Sequence, residues 1–599
     1  MFKGHPKGLY VAFFANMGER FGFYTMMACL VFFLQAKFGL SADEAGGHYS
    51  NFYFAIYALA LIGGIIADKT KKYKGVIFAG IFIMLAGYIL MATPGLNLTI
   101  TLVALYVIAL GNGLFKGNLQ AIVGQLYDDP KYSKLRDSAF SIFYMGINMG
   151  ALVAPHAANG IRNWLLESNG YTYDADLPAL CHQLQDGTLA NASELQSLAD
   201  KVTGTSVADL SSFATDYLEV FSTGYNYAFG IAAVSMVISL VVYILFQKML
   251  PNGSQSVEAK ANAENGNKEE KTPSNPMHLI ISLLIGTAVA VGVYYLKDIY
   301  SGLAIGLFAS FVSWISLSAT KEEKPKVTAL LLVFGVVIFF WMSFHQNGLT
   351  MSFFARDYTA KEVGAFTYLF FDFWGMIAVL AAIISISTLF GKSASKKSKT
   401  ISGIIALVAI AAAIFRYTSV PATNPIEPEI FQSFNPIFIV VLTPIVLGLF
   451  AWLRNKKKDP STPKKIGIGM ILAAVGFMVM VWGSLSLISP ADLGGTPSPD
   501  RVSPYWLINS YLILTFAELF LSPMGISFVS KVSPVRFQGI MQGGWLLATA
   551  VGNKLLFVGS FMWGKIEIWQ VWSIFIVCCV ISAAFIFSIM KRLEKATQD

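Results

Sequence analysis

Apolar residues along this chain fall in long unbroken runs separated by polar connections, without the period-two alternation of half-buried strands. The runs lie near 9–36, 48–67, 75–94, 98–125, 139–160 and 225–247, then near 277–296, 301–319, 327–350, 364–391, 400–416, 433–453, 466–488, 504–530, 538–563 and 569–590. Most reach the ~20 residues that a helix needs to cross the hydrocarbon of a bilayer. The pattern predicts sixteen membrane-spanning helices, the segment 400–416 being the shortest. In lipid a helix satisfies its backbone within one segment, whereas a barrel would show short alternating stretches.

A polar stretch, 249–276 ("KMLPNGSQSVEAKANAENGNKEEKTPSN"), divides the runs into six and ten. The expected organisation is an N-terminal six-helix bundle over 1–248 with a long loop at about 161–224, and a linker over 249–276. An inserted helical hairpin over 277–320 follows, then a C-terminal six-helix bundle over 321–599 carrying a second inserted hairpin at about 364–417. Two six-helix halves joined by a long linker resemble the layout of the major facilitator superfamily. "GGIIADKTKKYKG", with Gly64 and Asp68, resembles that superfamily's loop between its second and third helices. The fold class expected is therefore an all-α polytopic membrane protein with a major facilitator fold and two extra hairpins.

Composition agrees: 55% of the 599 residues are hydrophobic, 13% are charged, and the mean hydropathy is +0.59. Soluble domains carry roughly twice that share of charge. Lys and Arg gather in alternate connections, among them "DKTKKYKG", "DDPKYSKLRD", "KEEKPK", "GKSASKKSKT", "LRNKKKDPSTPKK" and the tail "KRLEKATQD". The positive-inside rule then places both termini in the cytoplasm and the long, largely acidic and polar 161–224 loop outside. The net charge of +8 reports topology and gives no reason to expect nucleic acid. Four cysteines, three of them in apolar runs, imply no disulfide framework. The opening "MFKGHPKG" before a long run reads as the start of a retained span and not as a cleaved signal.

Polar residues at membrane depth are few, and such residues usually mark pathways. In "NMGERFGFY" the residues Asn16, Glu19, Arg20, Phe23, Tyr24 and Met27 recur at three- and four-residue spacing, which puts them on one helix face. Lys116 lies in the fourth run among glycines, and Glu518 is the only charge in "YLILTFAELFLSPMGIS", where Pro523 predicts a kink. Arg20 and Lys116 belong to the first half and Glu518 to the second. They could neutralise one another, or flank a ligand with a carboxylate at one end and an ammonium at the other.

These residues lie in stretches that resemble the proton-dependent oligopeptide transporters. "GERFGFYTM" resembles that family's first-helix motif, and "RDSAFSIFYMGINMGALVAP" its fifth-helix signature. "FFWMSFHQNGLTMSFFARD", "QSFNPIFIVVLTP", "AELFLSPMGISFVSKVSP" and "MQGGWLLATAVGN" resemble its seventh, eighth, tenth and eleventh helices. The resemblance implies that Arg20 and Lys116 meet a peptide's carboxylate, and that Asn148, Asn435 and Glu518 surround its ammonium. It also implies that Tyr24, Tyr57, Trp341 and Trp545 line the cavity. Arg and Lys supply donors, and Asn and Glu supply acceptors, as those roles require. Coupling or gating would fall to Glu19, Arg20, His345 and Glu518. Three departures stand out: Asn16 replaces the motif's first glutamate, Phe23 replaces a tyrosine, and His345 stands where the seventh helix usually carries glutamate. The hairpin at 277–320 resembles one that bacterial members insert, while the 364–417 pair is less expected. Asp372 is read there as interfacial or paired with another helix.

The function this implies is import of di- and tripeptides by proton symport through alternating access, with the proton gradient as energy source and neither cofactor nor metal. The alternative within the fold is a carrier of another small organic anion or zwitterion with altered or no proton coupling. A membrane enzyme is disfavoured: no metal spacing, Ser–Lys pair or nucleotide loop appears at membrane depth, and "GNG" near 111–113 is too short for a phosphate loop. A peptide sensor would need a signalling domain, and none is visible. The expected partners are small peptides, protons and the lipid bilayer, the expected state a monomer, and the expected location the cell (inner) membrane.

Overall fold

The computed structural model of the chain describes residues 4–251, 275–391, 395–493 and 495–598. The linker expected at 249–276 lies outside the described residues over 252–274. Among the described residues, sixteen helices are long and apolar enough to cross a membrane. We label them in chain order: α1 (Gly8–Phe38), α2 (Ala42–Thr70), α3 (Tyr73–Ala92), α4 (Leu98–Gln125), α5 (Arg136–Ser168), α6 (Leu210–Phe246), α7 (Pro276–Leu296) and α8 (Ile299–Ser318). The series continues with α9 (Lys324–Phe344), α10 (Phe373–Phe390), α11 (Lys396–Ser419), α12 (Phe434–Asn455), α13 (Thr462–Ser484), α14 (Tyr505–Val532), α15 (Gln538–Lys554) and α16 (Ile568–Ser588). The chain is a predominantly helical, multi-pass membrane protein.

Polar caps start several of the helices. Ser41 and Glu44 form a reciprocal capping box on α2, while Asn97, Asp209 and Asp298 cap α4, α6 and α8 through their side chains. Helices α1–α6 pack among themselves, as do α9 and α12–α16. The two groups meet where α2 crosses α15 and where α5 crosses α12. The helices alternate in direction, so α1 begins and α16 ends at the same end. We call this the terminal end and its opposite the distal end. At the terminal end His5 meets Tyr127, and Ser461 bonds to Glu594.

Some runs and helices differ in their bounds. In the 364–391 run the spanning helix starts only at Phe373, because the chain first forms a two-stranded ribbon, β1 (Glu362–Gly364) against β2 (Thr423–Pro425), and then a separate single helical turn, Ala365–Tyr368. That ribbon closes the base of the second hairpin, so the excursion leaves and rejoins the bundle at one place. Asp372 caps α10 by accepting from the Gly375 N–H at 2.7 Å, and the Arg416 guanidinium of α11 grips it at 2.6 and 2.9 Å. The 327–350 run breaks at a 3-10 turn, His345–Gly348, and a short helix Thr350–Asp357 follows. The 161–224 stretch is ordered: α5 and α6 extend into it, and two short helices, Leu177–Gln185 and Ala192–Thr203, pack against α6.

Candidate functional site

The stripe on α1 folds back on itself. Adjacent helical residues point in different directions, but the long Arg20 side chain turns to Glu19 and makes a fork, Nε to Oε2 at 2.5 Å and Nη2 to Oε1 at 3.0 Å. Asn112 of α4 donates to the same carboxylate at 2.6 Å, and all three residues are buried. Glu19 is thus satisfied by one cation and one amide. Asn16, the motif's missing carboxylate, contacts the Phe143 carbonyl of α5 at 3.5 Å.

Lys116 stands one turn further along α4. Close approach of α2 and α4 places it, because a Cβ on Gly113 would lie 2.6 Å from the Leu59 backbone. The Lys116 ammonium sits 4.0 Å from the centre of the Tyr57 ring of α2, a cation–π contact. Among the described residues no carboxylate lies within ion-pair distance of it. Glu518 of α14 is in the mirror condition. It accepts from Asn435 of α12 at 3.0 Å, Asn435 also donates to Thr515 at 3.0 Å, and no cation among the described residues pairs with it. Tyr24, Tyr57 and Tyr144 from the first half lie within electrostatic reach of Glu518, and Arg20 and Glu19 lie within reach of Lys116. The three charges of the sequence reading therefore do not cancel one another. A lysine in one half and a glutamate in the other share Tyr57 as a neighbour, and among the described residues each lacks a counter-ion.

The remaining residues divide. Asn148 bonds to the Tyr144 carbonyl of its own helix at 3.0 Å. Trp341 stacks on His345 with ring centres 4.7 Å apart. Trp545 packs on Gly525 of α14 and edge-on to Phe334; a Cβ on Gly525 would fall 1.9 Å from its ring. His345 lies where the two halves meet, its Nδ1 2.6 Å from Asn553 Oδ1 of α15 and its Nε2 3.3 Å from the Tyr53 hydroxyl of α2. These partners assign the tautomer: Nδ1–H donates to Asn553, the Tyr53 O–H donates to Nε2, and a neutral imidazole satisfies both.

Sequence reasoning missed Asn112, Tyr53 and Asn553. The usable signal was that an amide at membrane depth needs a partner. It also missed a distal cluster. Arg162 of α5, fully buried, donates to Glu429 and to Glu427 (2.8 Å) just ahead of α12, and its guanidinium lies 3.9 Å over the Tyr173 ring. Tyr225 of α6 donates to Glu429 at 2.8 Å. Nearby, Lys361 and Arg501 reach Asp176 at 2.6 and 3.0 Å. Each of these ion pairs joins one half to the other at the distal end.

A family model described as the POT family matches residues 74–404 and 417–566. The chain is 26% identical over 558 residues to a peptide transporter of Yersinia enterocolitica subsp. palearctica, covering 92% of this chain and 87% of that one. It is 26% identical over 571 residues to a di-/tripeptide transporter of Lactococcus lactis subsp. lactis, covering 92% and 89%. A crystal structure described as a peptide transporter POT in complex with sulfate superposes with a TM-score of 0.65 at 22% identity, over 100% of this chain and 97% of that one.

Proposed function

We propose, on the premise that this chain belongs to the POT family, that it imports di- and tripeptides by proton symport through alternating access. One observation carries the reading: Lys116 in the first half and Glu518 in the second share Tyr57 as a neighbour, and among the described residues neither has a counter-ion. A zwitterion held by both ends supplies the two missing charges at once, and because the two residues belong to different halves it draws the halves together as it binds. Tyr24, Tyr57 and Trp341 offer faces to side chains of varied shape. Arg20 is neutralised by Glu19, so it adds donors near the carboxylate end without adding a net charge. The terminal end faces the cytoplasm by the charge of its loops, the distal end faces outward, and the protein works as a monomer.

With Asn16 unable to titrate, Glu19 or Glu518 carries the stoichiometric proton. His345 acts at the outer contact, where its neutral imidazole ties Tyr53 of α2 to Asn553 of α15, and protonating it would cost the bond in which Nε2 accepts from Tyr53. A second reading, a carrier of another organic anion or zwitterion with altered coupling, is favoured by the same two departures, Asn16 and His345. Purified protein in liposomes separates the two. Symport predicts that an inward proton gradient concentrates labelled dialanine, and His345→Gln, which loses the bridge between Tyr53 and Asn553, should slow uptake without ending it. Uptake that needs sodium and ignores the proton gradient, or that excludes peptides altogether, would overturn the first reading.

A further inference from the structure

The α7–α8 hairpin belongs to neither six-helix half, yet it supplies a charge to the contact between them. Its two helices are locked together, since a Cβ on Gly286 would fall 2.6 Å from the Gly306 carbonyl oxygen and one on Gly306 2.7 Å from that of Gly286. The unit rests on the second half through α8, where Phe311 meets Phe334 of α9 and covers Gly544 of α15. Its turn, Lys297 to Tyr300, reaches the distal end. There Asp298 caps α8 by accepting from the Ser301 N–H at 2.8 Å, and its Oδ2 lies 3.3 Å from the Lys554 ammonium.

Lys554 ends α15 with its side chain only 3% exposed. It donates to Asn51 Oδ1 of α2, across the seam, at 2.6 Å. Two residues from Asp298, Tyr300 stacks nearly parallel on Tyr106 of α4, with centres 6.1 Å apart. The turn therefore touches the first half directly through Tyr300 and indirectly through the lysine. Among the described residues Asp298 is the one carboxylate within ion-pair distance of Lys554. Burial pushes the Asp298 carboxyl up, but the Ser301 N–H and the lysine hold it below the ordinary aspartate range, so it is ionised at neutral pH.

We propose that Asp298 is a positioning residue of the outer gate: it holds the Lys554 ammonium against Asn51, which makes the inserted hairpin a working part of the contact that closes the transporter to the outside. The proposal rests on the alternating-access reading above. Opening outward breaks the Lys554–Asn51 bond and the Tyr106–Tyr300 stack, and keeps Asp298 with Lys554, since the hairpin rides on the second half. Without the carboxylate, Lys554 is a buried cation facing an amide, and it is better solvated when water enters the seam. Loss of Asp298 therefore favours the outward-open state.

Asp298→Asn isolates the charge, because asparagine caps a helix about as well as aspartate. Spin labels at positions 94 and 485, on distal turns of the two halves, report the seam by pulsed dipolar distance measurement on the full chain in nanodiscs. Asp298→Asn should raise the ratio of long to short distances by on the order of tenfold. Asp298→Glu should keep the wild-type distribution, and Asp298→Asn with Lys554→Gln should return towards it, since no unpaired cation remains. Asn51→Ala, which leaves the hairpin intact, should lengthen the distances as well. In uptake, Asp298→Asn should lower kcat and leave KM unchanged. Unchanged distances in Asp298→Asn, or a double variant no nearer wild type than the single one, overturns the proposal. The distances are read without substrate, so a protein that transports no peptide but shows these shifts would sink the proposed function and leave the gate intact.

Discussion

Lys116 and Glu518 differ from most of the buried charges in this protein: among the described residues neither has an oppositely charged partner. Arg20 has Glu19, Arg162 has Glu427 and Glu429, and Arg416 has Asp372. Removing one member of a buried pair typically costs 3–5 kcal/mol, because the other is stranded. A peptide terminus bound at Lys116 or Glu518 would be stranded in the same way. Lys116→Ala and Glu518→Ala should each lower dialanine uptake by at least ~100-fold while membrane insertion is kept. Counterflow measurements check this, and near-normal exchange in either variant speaks against a peptide held by both ends. Charges at such depth were legible in the sequence because they are rare there. Their neutral partners were not. Asn112, Tyr53 and Asn553 are residue types that occur freely on any helix, and a single sequence does not say which helices face one another.

At the level of elements, hydrophobicity located all sixteen helices, because a span has to be apolar along its length. It misjudged where spanning helices begin beside other apolar chain. Residues 364–372 are nearly all apolar or aromatic, but the ribbon at Gly364–Thr423 and the cap at Asp372 delay α10 to Phe373. It also treated Arg162 as the start of a loop, because the apolar run ends at about 160 whereas α5 continues to Ser168. The second hairpin gives the topology its clearest test. Single cysteines at 395, before α11, and at 205, after the helix Ala192–Thr203, should label from opposite faces in intact cells, 205 from outside and 395 only after permeabilisation. Labelling of 395 from outside would mean that α10 and α11 do not cross the membrane.

The whole molecule is held shut at its distal end by ions. Arg162 with its two glutamates, Lys361 and Arg501 with Asp176, and Lys554 between Asn51 and Asp298 all join across the halves or support such a joint. Well-packed apolar residues in place of a buried ion cluster are often neutral or stabilising by 1–4 kcal/mol. The triple change Arg162→Met, Glu427→Leu and Glu429→Leu should therefore give a protein at least as heat-stable as wild type, but with slower turnover and labels at 94 and 485 fixed at short distance. Faster uptake in that variant would show that the cluster is not part of the closure. A seam that must open in every cycle has to be about as comfortable wet as dry. Arg162 and Glu429 attract each other when water is excluded and are hydrated when it enters, so the two states stay close in free energy. An oily seam would close as firmly and resist rewetting. In this sense the distal ions act less as a clasp than as a re-wettable adhesive, one that lets the halves part without the driving gradient having to prise them open.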